Sequence, residues 1–129
     1  MNIKGITTRK SKYSVRETIE RLVVFLQDHG ARAYARINQQ AELERAGITI
    51  KPLQCLLFGN AKAGGRIMAE NPLTALDLPL KIVAWEDENG KTNVAYHEAC
   101  YIEERYGISP ELVHALDLDP MVNQALGNE

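Results

Sequence analysis

The sequence has few cysteines, few aromatic residues and little net charge, which are the features that mark cross-linked or otherwise specialised small proteins. Its 129 residues include two cysteines, one tryptophan and two phenylalanines, and the formal net charge is −2. Two cysteines exclude a disulfide-dense scaffold. The near-neutral charge disfavours a nucleic-acid-binding surface, which usually needs a basic surplus. No apolar run approaches the length that crosses a bilayer, so no membrane partner is expected.

The cysteines and the start of the chain favour a cytoplasmic location. Residues 1–12 are polar and contain no apolar signal core. Cys55 and Cys100 are therefore expected to be reduced thiols, and their spacing matches no metal or redox motif. The three histidines fall in separate predicted elements and lack the spacing of metal ligands. We predict neither a metal nor a cofactor.

The composition is otherwise ordinary for a globular domain, with 45% hydrophobic and 25% charged residues. A chain of this length fits one domain and buries enough surface to fold without disulfides or bound metal ions. We therefore predict a single domain over residues 1–129.

Short strand and helix patterns alternate along the chain. The predicted strands are residues 5–9, 31–37, 53–59, 80–86 and 91–96, the last two joined at Asn89-Gly90 as a hairpin. The predicted helices are one from the capping box Ser14/Glu17 to Gly30, then 39–46, 64–70 and 99–106, with later starts at Ser109-Pro110 and Asp119-Pro120. A β-α-β opening unit and a late hairpin predict an α+β fold with helices on a mixed, mostly antiparallel sheet.

The predicted strand 53–59 has apolar residues on both faces. Leu53, Cys55 and Leu57 lie on one face, and Leu56 and Phe58 on the other. This pattern is typical of a strand that is covered on both sides or lies at a subunit interface. A small chain cannot cover every such surface, so we predict a homodimer.

The segment after that strand is the first candidate site. It runs from the strand into a predicted helix start, where free N–H groups favour an anion and glycines let a ligand approach the backbone. We assign Asn60, Lys62 and Gly64 to this ligand-binding site, with Lys62 as a point charge. It is not a Walker A loop. The alternative is a tight strand-to-helix turn without a ligand.

Asp77 is the second candidate, because it stands in an apolar stretch between Leu76 and Leu78. A carboxylate in such a setting can act as an acid or base with a shifted pKa. It can equally cap a turn or pair with Lys62 or Lys81, since buried charges persist by pairing.

Three stretches carry a family resemblance. They are Phe58-Gly59-Asn60-Ala61-Lys62-Ala63-Gly64 with Met68, Ala75-Leu76-Asp77-Leu78-Pro79-Leu80-Lys81 with Trp85-Glu86-Asp87, and Tyr96 with Tyr101 and Arg105-Tyr106-Gly107. In this order and spacing the chain resembles the domain-of-unknown-function family 302 over about residues 5–107. Residues 108–129 are expected to form a C-terminal helical extension.

The resemblance implies an α+β fold of two layers and a homodimer, and it implies no activity. The chain departs from the family pattern at three places: Asn38-Gln39 replaces a frequent Asp-His, Ala61 a usual Pro, and His97-Glu98-Ala99 a common Asn-Asp-Pro. If an Asp-His pair performs chemistry in relatives, this chain lacks it, which weighs against an enzyme.

Three hypotheses follow for the function. The first is a domain that binds a small, anionic ligand near Asn60, Lys62 and Asp77. The second is a homodimeric interaction domain. The third is a small enzyme that uses Asp77 or Glu86 as an acid or base. Binding or interaction is favoured over catalysis.

Overall fold

The structure, a computed structural model, describes residues 3–127 and contains one five-stranded sheet. The strands are β1 (Ile6–Ser11), β2 (Arg32–Asn38), β3 (Leu53–Gly59), β4 (Leu80–Glu86) and β5 (Thr92–His97). The α-helices are α1 (Val15–Asp28), α2 (Gln39–Arg45), α3 (Ala61–Glu70), α4 (Ala99–Tyr106), α5 (Pro110–Val113) and α6 (Asp119–Leu126). Two 3₁₀ helices lie at Pro72–Leu76 and His114–Leu116.

The sheet has the strand order β1-β5-β4-β3-β2, and each of its four pairings is antiparallel. The α+β class is confirmed, but the sheet of residues 3–127 is not mixed. The opening β1-α1-β2 unit predicted a parallel contribution. These two strands do run in the same direction, but they lie at opposite edges with three strands between them, because α1 crosses the whole sheet.

Helices α1 and α6 pack together on one face of the sheet. Ser14 caps α1 as predicted, since its Oγ accepts a hydrogen bond from the Glu17 N–H at 3.1 Å. The apolar side of α1 then meets alternate residues of β3, β4 and β5. The main cluster consists of Val15, Ile19, Leu22, Leu26, Leu56, Phe58, Ile82, Ala84, Val94, Tyr96, Leu118, Val122, Ala125 and Leu126.

A second, smaller cluster forms among α3, α4, α5 and the 3₁₀ turn that follows. It consists of Ile67, Ile102, Ile108, Val113 and Leu116. Leu80, the first residue of β4, packs against both clusters. The two clusters therefore meet where β3 ends and β4 begins.

The C-terminal residues contribute to both clusters. Leu118, Val122 and Leu126 are buried in the main cluster, and Val113 and Leu116 in the second. The described part of the expected C-terminal helical extension, up to residue 127, consists of α5, a 3₁₀ helix and α6, and it supplies core side chains. No helix within residues 3–127 is long and apolar enough to span a membrane.

The other face of the sheet also carries apolar side chains, and we call it the open face. Register and alternation place its members opposite to the main cluster. They are Ala35, Ile37, Leu53, Cys55, Leu57, Val83, Trp85 and Ala95. None of them belongs to either cluster, and all except Cys55 stay partly exposed.

Candidate functional site

A cavity of about 750 Å³ opens where the two clusters meet. Its walls are the end of α1, the start of β2, the end of β3, the first turns of α3, residues 78–80, and residues 115–124 around the start of α6. This volume falls within the range of small-molecule sites. We call it the sheet-end pocket.

The floor of the sheet-end pocket is apolar. Leu26, Phe58 and Leu118 come from the main cluster and Leu116 from the second, and all four are buried. Met68 and Met121 line two of its walls. An apolar group that enters the pocket therefore contacts residues of both clusters.

The rim of the sheet-end pocket is polar and exposed. His29, Asn60, Asp117 and Gln124 stand there. The His29 ring stacks on Phe25 and bonds its main-chain oxygen through Nδ1 at 2.8 Å. Among the described residues that line the pocket there is no lysine or arginine.

Asn60 has a structural role at this rim, because it caps α3. Its Oδ1 accepts a hydrogen bond from the Lys62 N–H at 2.9 Å, and its carbonyl oxygen accepts one from the Gly64 N–H. The helix consequently begins at Ala61, three residues before the predicted start at 64. Gly64 and Gly65 did not delay the helix, since the Asn60 side chain satisfies the free N–H group of Lys62 in the first turn.

Gly59 and Gly64 give the pocket its space. A Cβ atom at Gly59 would stand 3.4 Å from the Tyr34 ring, which lies across the end of β3. Gly64 faces the cavity from inside α3, and a Cβ there would only touch the Met68 methyl group at 3.8 Å. A larger side chain at position 64 would therefore occupy the pocket without straining the backbone.

The structure separates the four residues that the sequence grouped into one site. Asn60 and Gly64 line the sheet-end pocket, whereas Lys62 and Asp77 do not. Lys62 is exposed on α3. Glu86, the other candidate acid, also lies outside the pocket lining.

Asp77 is held by α4, which corrects the predicted pairing with Lys62 or Lys81. The Tyr106 hydroxyl donates a hydrogen bond to its carboxylate, and Arg105 Nε lies 3.6 Å from Oδ2. That bond raises the pKa of the Tyr106 phenol. Both partners follow Asp77 by nearly 30 residues, so no local pattern points to them.

A comparable group ties α6 to the sheet. The Tyr96 hydroxyl donates to Asp119 Oδ1 at 2.5 Å and accepts from Arg9 Nε at 2.9 Å. The same Asp119 oxygen lies 3.3 Å from the Arg9 guanidinium. Burial, then the bond to Asp119, raises the pKa of Tyr96 to about 12.

The walls from the C-terminal segment were missed by sequence reasoning. Leu118, Val122 and Leu126 repeat at the spacing of one helix face, which is the signal that would have predicted a packed α6. Tyr34 and Met68, on separate elements, gave no such signal. Residues 3–127 contain no cluster of three or more metal-binding side chains. Cys55 and Cys100 are free thiols.

Together these features define a two-layer α+β domain with an apolar pocket at one end of an antiparallel sheet. The chain belongs to the family described as "Domain of unknown function DUF302", whose model matches residues 7–128. The match continues past residue 107, where the resemblance was expected to end. The family description assigns no activity.

A solved structure shows the same fold. The crystal structure of the uncharacterised conserved protein DUF302 from Bacillus stearothermophilus has a TM-score of 0.79 and 24% sequence identity, covering 97% of this chain and 98% of that one.

Curated relatives are longer than this chain. A protein named fluoride-specific ion channel FluC 1, from Brucella suis, is 31% identical over 104 residues, which are 81% of this chain and 41% of the relative. A Brucella abortus protein of the same name matches at the same identity over 38% of its length. The chain thus spans about two fifths of the length of these relatives.

Proposed function

We propose that this chain is a small-molecule-binding domain whose site is the sheet-end pocket. The observation that carries the proposal is the cavity itself: about 750 Å³, with an apolar floor and a polar rim. Concave apolar sites with a few polar groups are the usual form of a ligand site. The two glycines at its edge, Gly59 and Gly64, keep that space open.

The test uses a fragment library and the amide spectrum of the protein. We expect hits that shift the amides of Gly59, Asn60 and Gly64. Gly64→Leu places a side chain inside the pocket and should weaken the binding of these hits. Gly65→Leu is the matched control, because Gly65 lies on the same helix, is absent from the lining and has open space around its Cβ position. Hits that bind Gly64→Leu as tightly as the parent protein, or no hits at all, would contradict the proposal.

Fluoride is the ligand that the names of the relatives raise. The sheet-end pocket disfavours it, because a small hydrated anion gains nothing from apolar walls and loses its water there. We expect sodium fluoride to leave the pocket amides where sodium chloride of equal ionic strength leaves them. A fluoride-specific shift of these amides would contradict this expectation and make fluoride a ligand of the sheet-end pocket.

We also propose that a second copy of the chain covers the open face. The observation that favours a homodimer is the set of eight apolar side chains there, outside both clusters, with Cys55 and Val83 at its centre and Leu57 and Trp85 towards its two ends. An apolar patch of this kind usually marks an interface.

Trp85 reports on this second proposal, because it is the chain's one tryptophan. Light scattering at micromolar concentration should give a dimer mass, and dilution should shift Trp85 emission to longer wavelength as water reaches it. Leu57→Lys should give monomers. Val24→Lys, on the exposed side of α1, is the control and should stay dimeric. A monomer mass for the parent protein would refute the dimer.

The cytoplasm is the location that we propose, from the sequence alone. Cys55 and Cys100 would stay reduced there. Thiol titration of freshly purified, denatured protein should find two thiols, and fractionation of cells should place the protein in the soluble cytoplasmic fraction.

A further inference from the structure

We infer that the sheet-end pocket recognises the hydrocarbon chain of a neutral amphiphile rather than a small anion. The inference rests on the proposed function and names the ligand class for that same site. It reverses the expectation of an anionic ligand, because the lysine that supported it lies outside the pocket.

The first argument is the separation of polar and apolar walls. The floor residues Leu26, Phe58, Leu116 and Leu118 are buried and offer no side-chain hydrogen-bonding group. The polar side chains all stand at the exposed rim. A ligand that matches both surfaces has an apolar tail inside and one polar group at the mouth. Apolar cavities stay dry and accept hydrocarbon readily.

The second argument is the charge of the lining. Asp117 places a carboxylate at the rim, and no lysine or arginine among the described lining residues offsets it. The first turn of α3 does present its positive end to the cavity, but Asn60 already accepts from the Lys62 N–H there. A carboxylate or phosphate head therefore meets one fixed negative charge and no lysine or arginine side chain.

The third argument is the character of the walls. Met68 and Met121 are unbranched and flexible, and thioethers adapt to irregular apolar shapes. Such walls suit a chain whose length and path vary. A rigid polar substrate would instead need several fixed hydrogen-bonding groups inside the pocket.

The experiment measures the dissociation constants of hexanol, heptanol, octanol and nonanol from amide shifts in the full chain. Each buried methylene should lower Kd about fourfold, which follows from the transfer free energy of one CH₂ group. Gly64→Leu should weaken nonanol more than hexanol, because the added side chain shortens the cavity. Gly65→Leu should leave the whole series unchanged.

Two further probes test the neutral head. Octanoate at pH 7 should bind several-fold more weakly than octanol, and inorganic phosphate should not shift the pocket amides. An affinity that does not change with chain length would overturn the hydrocarbon part of the inference. Octanoate that binds as tightly as octanol, or phosphate that binds in the pocket, would overturn the neutral head. The fragment screen is independent of the alcohol series. If fragments bind in the pocket but the Kd of the alcohols does not change with chain length, the ligand class is rejected and the proposal of a binding domain stands.

Discussion

Two groups of one tyrosine, one aspartate and one arginine join distant parts of this chain, and they differ in burial. Arg9, Tyr96 and Asp119 fix α6 to the sheet, and Tyr96 is only 4% exposed. Arg105 and Tyr106 hold Asp77 on the other side of the pocket, where the Arg105 side chain is 53% exposed and that of Asp77 21%. The tyrosine and the arginine are the more buried in the first group, whereas its carboxylate is the more exposed, with 47% for the Asp119 side chain. The contrast between the groups therefore lies in the tyrosine ring.

Burial makes the first group the stronger of the two. A hydrogen bond to a charged group counts for more where water does not compete. An exposed ion pair contributes little, because water and salt screen it. The main cluster is therefore anchored by its polar residues as well as by its apolar ones, whereas the second cluster depends on five apolar side chains and a screened pair.

Removing the two rings tests this contrast with the largest expected effect. Tyr96→Ala should lower the free energy of unfolding by about 3–5 kcal/mol, the cost of deleting a large buried aromatic side chain. Tyr106→Ala should cost no more than about half as much, because Tyr106 is only half-buried. Urea unfolding of both variants measures this. Equal losses of stability in Tyr96→Ala and Tyr106→Ala would show that the burial of the ring does not set the difference between the two groups.

The second-largest expected effect is the loss of stability at high pH. The pKa of Tyr96 is about 12 in the folded protein, against 10.0 for an unperturbed phenol. Its stabilisation is complete below pH 10. As the pH rises from 10 to 12 the unfolded chain ionises first, and about 2–3 kcal/mol of stability is lost.

Unfolding curves between pH 9 and 11.5 check this, with Tyr96→Phe as the variant and Tyr106→Phe as the control. The parent protein should lose the most stability and Tyr106→Phe slightly less, because the bond to Asp77 raises the pKa of Tyr106 as well. Tyr96→Phe should lose distinctly less over the same range. A parallel loss in all three proteins would show that Tyr96 ionises normally.

The same two phenylalanine variants give a smaller difference at neutral pH. Tyr96→Phe removes the hydrogen bond between a buried phenol and Asp119, whose half-exposed carboxylate can bind water instead, and should cost about 0.5–1.5 kcal/mol. Tyr106→Phe removes a bond that water can replace at Asp77, and should cost about 0.2–1 kcal/mol. Denaturant titration of the two variants at pH 7 measures this difference.

Local signals predicted the elements well. The cap at Ser14, the apolar run of β3 and the Asn89-Gly90 turn each lie within a few residues of the structure that they specify. The predicted α+β class followed from their order and is confirmed. The difference at the start of α3 is local as well, since the Asn60 cap starts the helix at Ala61, ahead of Gly64 and Gly65.

Long-range placement could not be predicted in the same way. The strand order puts β1 and β2 at opposite edges, and nothing near either strand encodes that. The partners of Asp77 and the pocket walls around Leu116 and Met121 come from segments far along the chain. They meet through packing of the two clusters, so their identity depends on the whole fold rather than on any motif.

The smallest expected loss of stability comes from substituting Lys62, which extends the comparison of buried and half-buried side chains to an exposed one. The sequence allowed a buried ion pair with Asp77, whose loss would cost about 3–5 kcal/mol. In the structure Lys62 is exposed, no ion pair of its side chain is found among residues 3–127, and its main-chain N–H supplies the bond to Asn60. Lys62→Ala keeps that N–H and places a good helix former in the first turn of α3, so the change should stay within about 0.5 kcal/mol. Asn60→Ala, two residues earlier, removes the cap and should cost about 1 kcal/mol. Denaturant unfolding of the two variants tests this. A loss of several kcal/mol in Lys62→Ala would indicate a buried ion pair between Lys62 and Asp77. Burial would then no longer explain why the two tyrosine groups differ.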